Sequence, residues 1–226
     1  MSKLSLLISI VPHDKGEKLT QSAIKAGCGG GSVLMGRGLA KSNLGAILGG
    51  GETTKDLIYM VVDSEKKSQI IDAILESTKH EKSDFGELFT LPVDSLMKAG
   101  VLSENSNSDG EKDMSNEKTS VAEPSRDMIT VIVNKGYADD VMFAARKAGA
   151  SGGTVINARG TAREDDEKFF GVHIVPEKDM LVIVVEHSKK ETVLSSIKEL
   201  KCLKEPGMGI AFSSPVGEFE LLGKKK

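Results

Sequence analysis

Three glycine-rich stretches have residue types and spacing suited to binding chemistry. Gly36-Arg37-Gly38 and Arg159-Gly160-Thr161 each follow a short run of apolar residues, where a strand turns into a long polar segment. Glycine at such a turn lets backbone N–H groups approach a phosphate closely; the bland alternative is a plain turn. A third stretch, Glu205-Pro206-Gly207-Met208-Gly209-Ile210, precedes another apolar run. A lone G-x-G is weak by itself, so these stretches point to an anionic ligand such as a nucleotide without fixing it.

Other reactive residues give less. His13, His80, His173 and His187 have no partner at ligand spacing, and no Ser/His/Asp or Cys/His set recurs along the chain. Cys28 and Cys202 fall outside metal or redox spacing and read as small half-buried thiols. Thr161–Lys168 holds four carboxylates, whose ordinary reading is a solvated loop tip. No catalytic residue and no metal site is expected.

The elements that must position these stretches appear twice. Lys25-Ala26-Gly27 matches Lys147-Ala148-Gly149, an offset of 122 residues that also superposes Gly36-Arg37-Gly38 on Ala158-Arg159-Gly160. Beyond the polar segment the offset becomes 123, placing Lys55-Asp56 on Lys178-Asp179 and Phe89 on Phe212. One register change inside a long loop is what a duplication with a variable loop produces.

In the first half, strands are expected at Leu4–Val11, Ser32–Arg37, Leu57–Val62 and Glu87–Leu91, with helices at Lys15–Ala26 and Glu65–Thr78. The second half repeats them at Met128–Asn134, Asp139–Ala148, Thr154–Arg159, Met180–Glu186, Lys189–Cys202 and Ile210–Ser214. The order βαββαβ gives an α+β chain of two ferredoxin-like domains in tandem, each a four-stranded antiparallel sheet with two helices on one face. The other sheet face is apolar too and must pack on another sheet. The expected boundaries are 1–98 and 126–223, joined by a Ser/Asn/Glu/Lys-rich disordered linker over 99–125.

The chain has 226 residues, with 33 acidic against 30 basic side chains, which argues against non-specific nucleic-acid binding. The absence of Trp requires an aliphatic core. With no apolar run long enough to cross a bilayer and no small-residue cleavage site near the start, a soluble cytoplasmic protein is expected. Too few aromatics lie on the central strands for an RNA-binding sheet. An acyl-phosphate hydrolase would need an Asn/Arg pair such as Asn134 and Arg159, but Pro12 replaces Asn134 in the first half.

The second half, with Lys147–Thr154, Ala158–Ala162, Phe169-Phe170-Gly171, Pro176-Glu177-Lys178 and Glu205–Phe212, resembles the PII-type nitrogen-regulatory signalling proteins, on the divergent PII-like side. The first half resembles them more weakly through Lys25–Gly27, Gly36–Gly38, Lys55-Asp56 and Asp84–Phe89. The resemblance implies a homo-oligomer, a trimer of tandem chains, with an adenine nucleotide (ATP, ADP, AMP or a cyclic nucleotide) as effector in clefts between domains. It implies ligand contacts from Gly36, Arg37, Gly38, Gly86, Glu87, Arg159, Gly160, Thr161, Gly207, Met208 and Gly209. It also implies that loops 39–54 and 161–177 dock on a protein partner such as a membrane transporter, through Lys41, Asn43, Arg163, Phe169 and Phe170. Departures are equally plain. Glu87 and Ile210 stand where the family carries a phosphate-binding lysine, and Ala40 and Ala162 where it carries a glutamine. Neither loop has the modifiable tyrosine. A structural oligomerisation module without a ligand is the competing reading.

Overall fold

The computed structural model describes residues 4–39, 52–83, 85–93, 96, 125–160, 168–169, 172–173, 177–205 and 208–224. The first half runs β1 (Leu4–Pro12), α1 (Gly16–Lys25), β2 (Ser32–Leu39), β3 (Glu52–Asp63), α2 (Lys67–Thr78) and β4 (Gly86–Val93). The second runs β5 (Arg126–Asn134), α3 (Ala138–Lys147), β6 (Gly153–Arg159), the short pair β7 (Lys168–Phe169) and β8 (Val172–His173), β9 (Glu177–Glu186), α4 (Lys190–Lys198), α5 (Lys201–Lys204), β10 (Gly209–Val216) and β11 (Phe219–Leu222).

Local sequence explains the repeated stops and turns. Gly27 and Gly149 follow α1 and α3 with φ of 96° and 102°, a conformation that costs glycine little. The amides that follow close both helices in the same way: Cys28 N–H donates to Ala23, and Ala150 N–H donates to Ala145. The turn after β1 carries Asp14 at φ 65°, and its counterpart after β5 is Gly136 at φ 98°. A buried aspartate closes each turn. Asp56 accepts from Gly16 N–H at 3.1 Å, and Asp179 accepts from Gly136 N–H at 2.9 Å.

Several expected elements differ in extent. The helix anticipated over Lys189–Cys202 is divided, because Leu200 adopts an extended conformation between α4 and α5. The strands β3 and β9 begin earlier than their apolar runs, at Glu52 and Glu177, since polar residues continue the ladder toward the loops. The strands β7, β8 and β11 were not anticipated.

All strands but β7 and β8 form one antiparallel sheet in the order β10-β5-β9-β6-β2-β3-β1-β4-β11. Each half contributes the ferredoxin-like four-strand order, and the two sheets join edge to edge. Gly36–Leu39 of β2 pairs with Gly153–Ile156 of β6 across the seam. At the far end the chain crosses back, and β11 pairs with β4, Phe219 opposite Phe89 and Leu222 opposite Gly86.

Alternation along the strands sorts the core into three layers. One lies under α1 and α2 and includes Leu7, Leu19, Ile58, Ile70 and Ile74. One lies under α3 and α4 and includes Ile129, Val141, Met142, Leu181 and Ile183. The third uses the opposite sheet faces of both halves: Ile8, Ile10, Leu57 and Phe89 cluster with Met128, Ile156, Val182, Val184 and Val216. The bare face that each four-stranded sheet would expose is thus covered in part by the other half of the same chain. Burying Phe89 fully in that layer contributes about 2–3 kcal/mol.

Candidate functional site

The seam between the halves leaves a cavity of about 430 Å³ beside it. The first half supplies the ends of four strands: Ile10 of β1, Gly38 and Leu39 of β2, Thr53 and Lys55 of β3, and Gly86 and Glu87 of β4. Facing them are Ser151, Gly152, Gly153 and Thr154, which lead from α3 into β6, together with Val184 of β9; Leu221 of β11 adds one more side. A second cavity of about 290 Å³ shares Glu87, Ser151, Val184 and Leu221 and continues toward Arg126, Glu186 and Lys189. Together they form a groove at the root of the loop that joins β2 to β3.

Glycine is required at one of these positions, and at a second it leaves room for neighbouring side chains. A β-carbon on Gly86 would stand 2.4 Å from the Ile10 carbonyl oxygen, so β4 can begin its pairing beside β1 only without one. On Gly38 it would stand 2.9 Å from Thr53 Oγ1 and 3.1 Å from Lys55 Cε, in the space the lysine stem crosses.

The charges of the groove are few and opposed. Burial pushes the carboxyl pKa of Glu87 up, against the pull of Arg126 and Lys55. Burial pushes the ammonium pKa of Lys55 down, and Glu87 opposes that shift. A ligand therefore meets an acid that burial disfavours in its charged form, flanked by two cations. The lining offers hydroxyls from Thr53, Ser151 and Thr154 but no histidine or cysteine to act as a base or nucleophile.

Of the residues singled out from the sequence, Gly38, Gly86 and Glu87 line this groove. Gly36 and Arg37 instead serve the seam. Gly36 lies opposite Ile156, and Arg37 reaches across to Asp139 at the start of α3, 3.3 Å away. In the second half, Arg159 and Gly160 lie at the end of β6, away from the cavity. Met208 is engaged locally: its carbonyl accepts from Asn134 N–H and its sulfur accepts from Asn134 Nδ2. Gly209 packs on β5, where a β-carbon would stand 2.9 Å from the Ile132 carbonyl oxygen. Thr161, Gly207, Lys41, Asn43, Arg163 and Phe170 lie outside the described residues, and Phe169 belongs to β7.

Sequence reasoning missed the wall formed by Ser151–Thr154, although these residues are the repeat counterparts of Gly29–Ser32 and their two glycines were visible. It also missed Lys55 and Arg126, whose part depends on how the halves meet. His13 and His187 find partners far along the chain. His13 Nδ1 lies 2.8 Å from Asp56 and His187 Nδ1 lies 2.5 Å from the buried Asp127. Asn134 is held by Lys178 and Met208, which ties it into the turn after β5. Cys28 and Cys202 are buried free thiols. Among the described residues no group of His, Cys, Asp and Glu is arranged to hold a metal ion, and no helix is long and apolar enough to cross a membrane.

A sheet of ferredoxin-like order, with glycine-rich strand ends gathered at a cleft between repeats, sets the terms for comparison with known proteins. Residues 126–226 match the family Nitrogen regulatory protein P-II. The P-II match begins with the first residue of β5 and takes in β10 and β11, so it covers the second half of the chain. The crystal structure of Arabidopsis thaliana PII bound to citrate is similar at 22% sequence identity and a TM-score of 0.36, over 44% of this chain and 82% of that one. No curated protein matches the chain. The P-II resemblance thus rests on the second half of the chain.

Proposed function

We propose that the chain is a non-catalytic signal-transduction regulator of the P-II type, which binds an adenine nucleotide in the groove between its halves. One observation carries the reading: the groove lies where the strands flanking the first long loop begin and end, at Gly38, Leu39, Thr53 and Lys55, and its opposite wall comes from the other repeat. A ligand there touches both halves and the root of a loop at once. Binding would shift the populations of loop arrangements and so alter docking on a partner through segments 39–54 and 161–177. A membrane transporter or an enzyme of nitrogen metabolism is the class of partner that the resemblance implies. Assembly into a homo-oligomer, a trimer of tandem chains in the terms of that resemblance, belongs to the same reading, as does a soluble cytoplasmic location.

Glu87 narrows the effector. A carboxylate within about 4 Å of a phosphate costs roughly 1–4 kcal/mol depending on the local dielectric. ADP, AMP or a cyclic nucleotide therefore fits better than ATP. Thr161, Arg159, Gly160, Gly207, Met208 and Gly209 would contact a ligand at the corresponding place in the second half.

The experiment is calorimetric titration of the full chain with ATP, ADP, AMP and cyclic AMP, together with limited proteolysis of both loops. Saturable binding accompanied by altered loop cleavage supports the regulator. Absence of both favours the structural module, a reading that draws on Gly36 and Arg37, which join the halves directly.

A further inference from the structure

The smaller cavity of the groove, about 290 Å³, holds two opposite charges that do not meet. Glu87 of β4 and Arg126 of β5 both line it. The guanidinium of Arg126 lies over the Phe219 ring, 4.1 Å from its centre. Among the described residues no hydrogen bond or salt bridge reaches that guanidinium or the Glu87 carboxyl. The two still feel one another: burial raises the Glu87 pKa, and Arg126 opposes that more than Lys55 does. The other charged pair of this cavity is closed on itself, with Lys189 at 2.7 Å from Glu186.

The duplication separates what the fold needs from what it does not. Carried through the repeat offsets, Arg126 corresponds to Leu4 and Glu87 to Ile210. The same two strand positions therefore accept apolar residues in the other half, and neither charge is a requirement of the sheet. Holding a half-buried acid and base apart, each without a partner, costs free energy unless something supplies the partners. The rest of the lining is short of charge. Val184, Phe219 and Leu221 give it apolar sides, and Leu221, opposite Glu87 in the pairing of β11 with β4, is 59% exposed.

We propose that this cavity binds a free aliphatic α-amino acid. Its ammonium group meets the Glu87 carboxylate, and its carboxylate meets the guanidinium of Arg126 and the hydroxyl of Ser151. Its side chain lies against Val184 and Leu221. An α-amino acid carries both charges on one carbon, so a single small ligand satisfies an acid and a base that do not reach each other. The volume stands at the lower end for small-molecule sites, which suits a ligand of this size. A dicarboxylate fits worse, because its second carboxylate would face Glu87. A phosphate would face both Glu87 and Glu186.

Glu87 also lines the larger cavity, where it opposes a nucleotide's phosphates. An ammonium group on its other side offsets that opposition, so the amino acid and a nucleotide strengthen each other's binding by the same factor. This coupling rests on the nucleotide reading above; the amino-acid site does not.

The test is calorimetric titration of the full chain, first without nucleotide, with L-leucine and L-alanine. Two analogues of leucine each remove one charge: 4-methylpentanoate lacks the ammonium group and 3-methylbutylamine lacks the carboxylate. Saturable binding of L-leucine is expected, with both analogues about tenfold or more weaker. Glu87→Gln and Arg126→Gln are each expected to weaken L-leucine by a similar factor. Circular dichroism checks their fold, and Arg126→Lys replaces Arg126→Gln where that variant unfolds. ATP titrated in the presence of saturating L-leucine is expected to bind about fivefold more tightly than without it. No saturable binding of either amino acid overturns the site. So does an analogue that matches L-leucine, and so do variants that bind it like wild type. An ATP affinity that L-leucine leaves unchanged overturns the coupling. A chain that binds L-leucine but no nucleotide supports the site and overturns the nucleotide reading instead.

Discussion

A β-carbon placed on Gly36 would stand 2.7 Å from the carbonyl oxygen of Val155, in the other half of the molecule. The seam therefore depends on a missing side chain. Gly36→Ala is expected to destabilise the fold by about 1–3 kcal/mol, since backbone rather than a flexible side chain would have to yield. Gly29→Ala, which meets nothing within 4 Å, is the control and should stay within about 0.5 kcal/mol. Urea denaturation of both variants checks the difference.

Phe89 is the side chain on which both sheets' inner faces depend. Its replacement by alanine is expected to cost about 3–5 kcal/mol. Because the layer around it joins the halves, the loss should also uncouple them. Calorimetry should show one transition for the wild type and two for Phe89→Ala.

Glu87 ties stability to pH. Its folded pKa is raised above the ordinary 4.5 by burial, so the folded state holds that proton longer than the unfolded chain. Its contribution to stability falls as pH rises from the unfolded value through the folded one. Glu87→Gln should abolish that fall and raise stability at neutral pH. The same substitution should tighten ATP binding several-fold, corresponding to about 1 kcal/mol. Denaturation across the acid range and calorimetric titration measure the two effects.

His13 runs by different chemistry. The hydrogen bond to Asp56 holds its imidazole pKa above 6.5 against the opposing effect of desolvation, with the charges of Asp14 and Asp56 adding to the rise. The resulting stabilisation is fully present below the unfolded pKa and is lost as pH rises through the folded one. His13→Gln should therefore be less stable than wild type at about pH 5.5 and nearly equal to it at about pH 8.5. The site is exposed, so the difference should be small; comparing urea midpoints at the two pH values reads it.

Much of this architecture could be read directly from the residues. The repeat gave the element order, and Gly27 and Gly149 marked the helix ends that the structure closes in the same way. Gly38 stood out by type and position, Gly86 and Glu87 only through the family resemblance, and all three line the groove. What remained hidden depends on partners distant in sequence. Nothing local to Arg37 indicates Asp139, and nothing local to Ser151 indicates that it faces Glu87. The division between α4 and α5 was also hidden, because Val193, Ile197 and Cys202 keep an apolar spacing while Leu200 between them turns extended. Apolar alternation showed that the inner faces needed a cover, but not that the chain supplies part of it.

The crossing of β11 onto β4 has a consequence for synthesis on the ribosome. Glu218 N–H donates to the hydroxyl of Thr90 across a separation of 128 residues. At ordinary elongation rates, the first half waits roughly 10 seconds for that strand to emerge. During that interval β4 is a bare edge, and the Phe89 side of its sheet lacks the cover that the second half provides. A nascent chain in that condition can pair with another on the same polysome. Translation speed between the two halves thus becomes part of what decides whether the molecule folds on itself or on its neighbour.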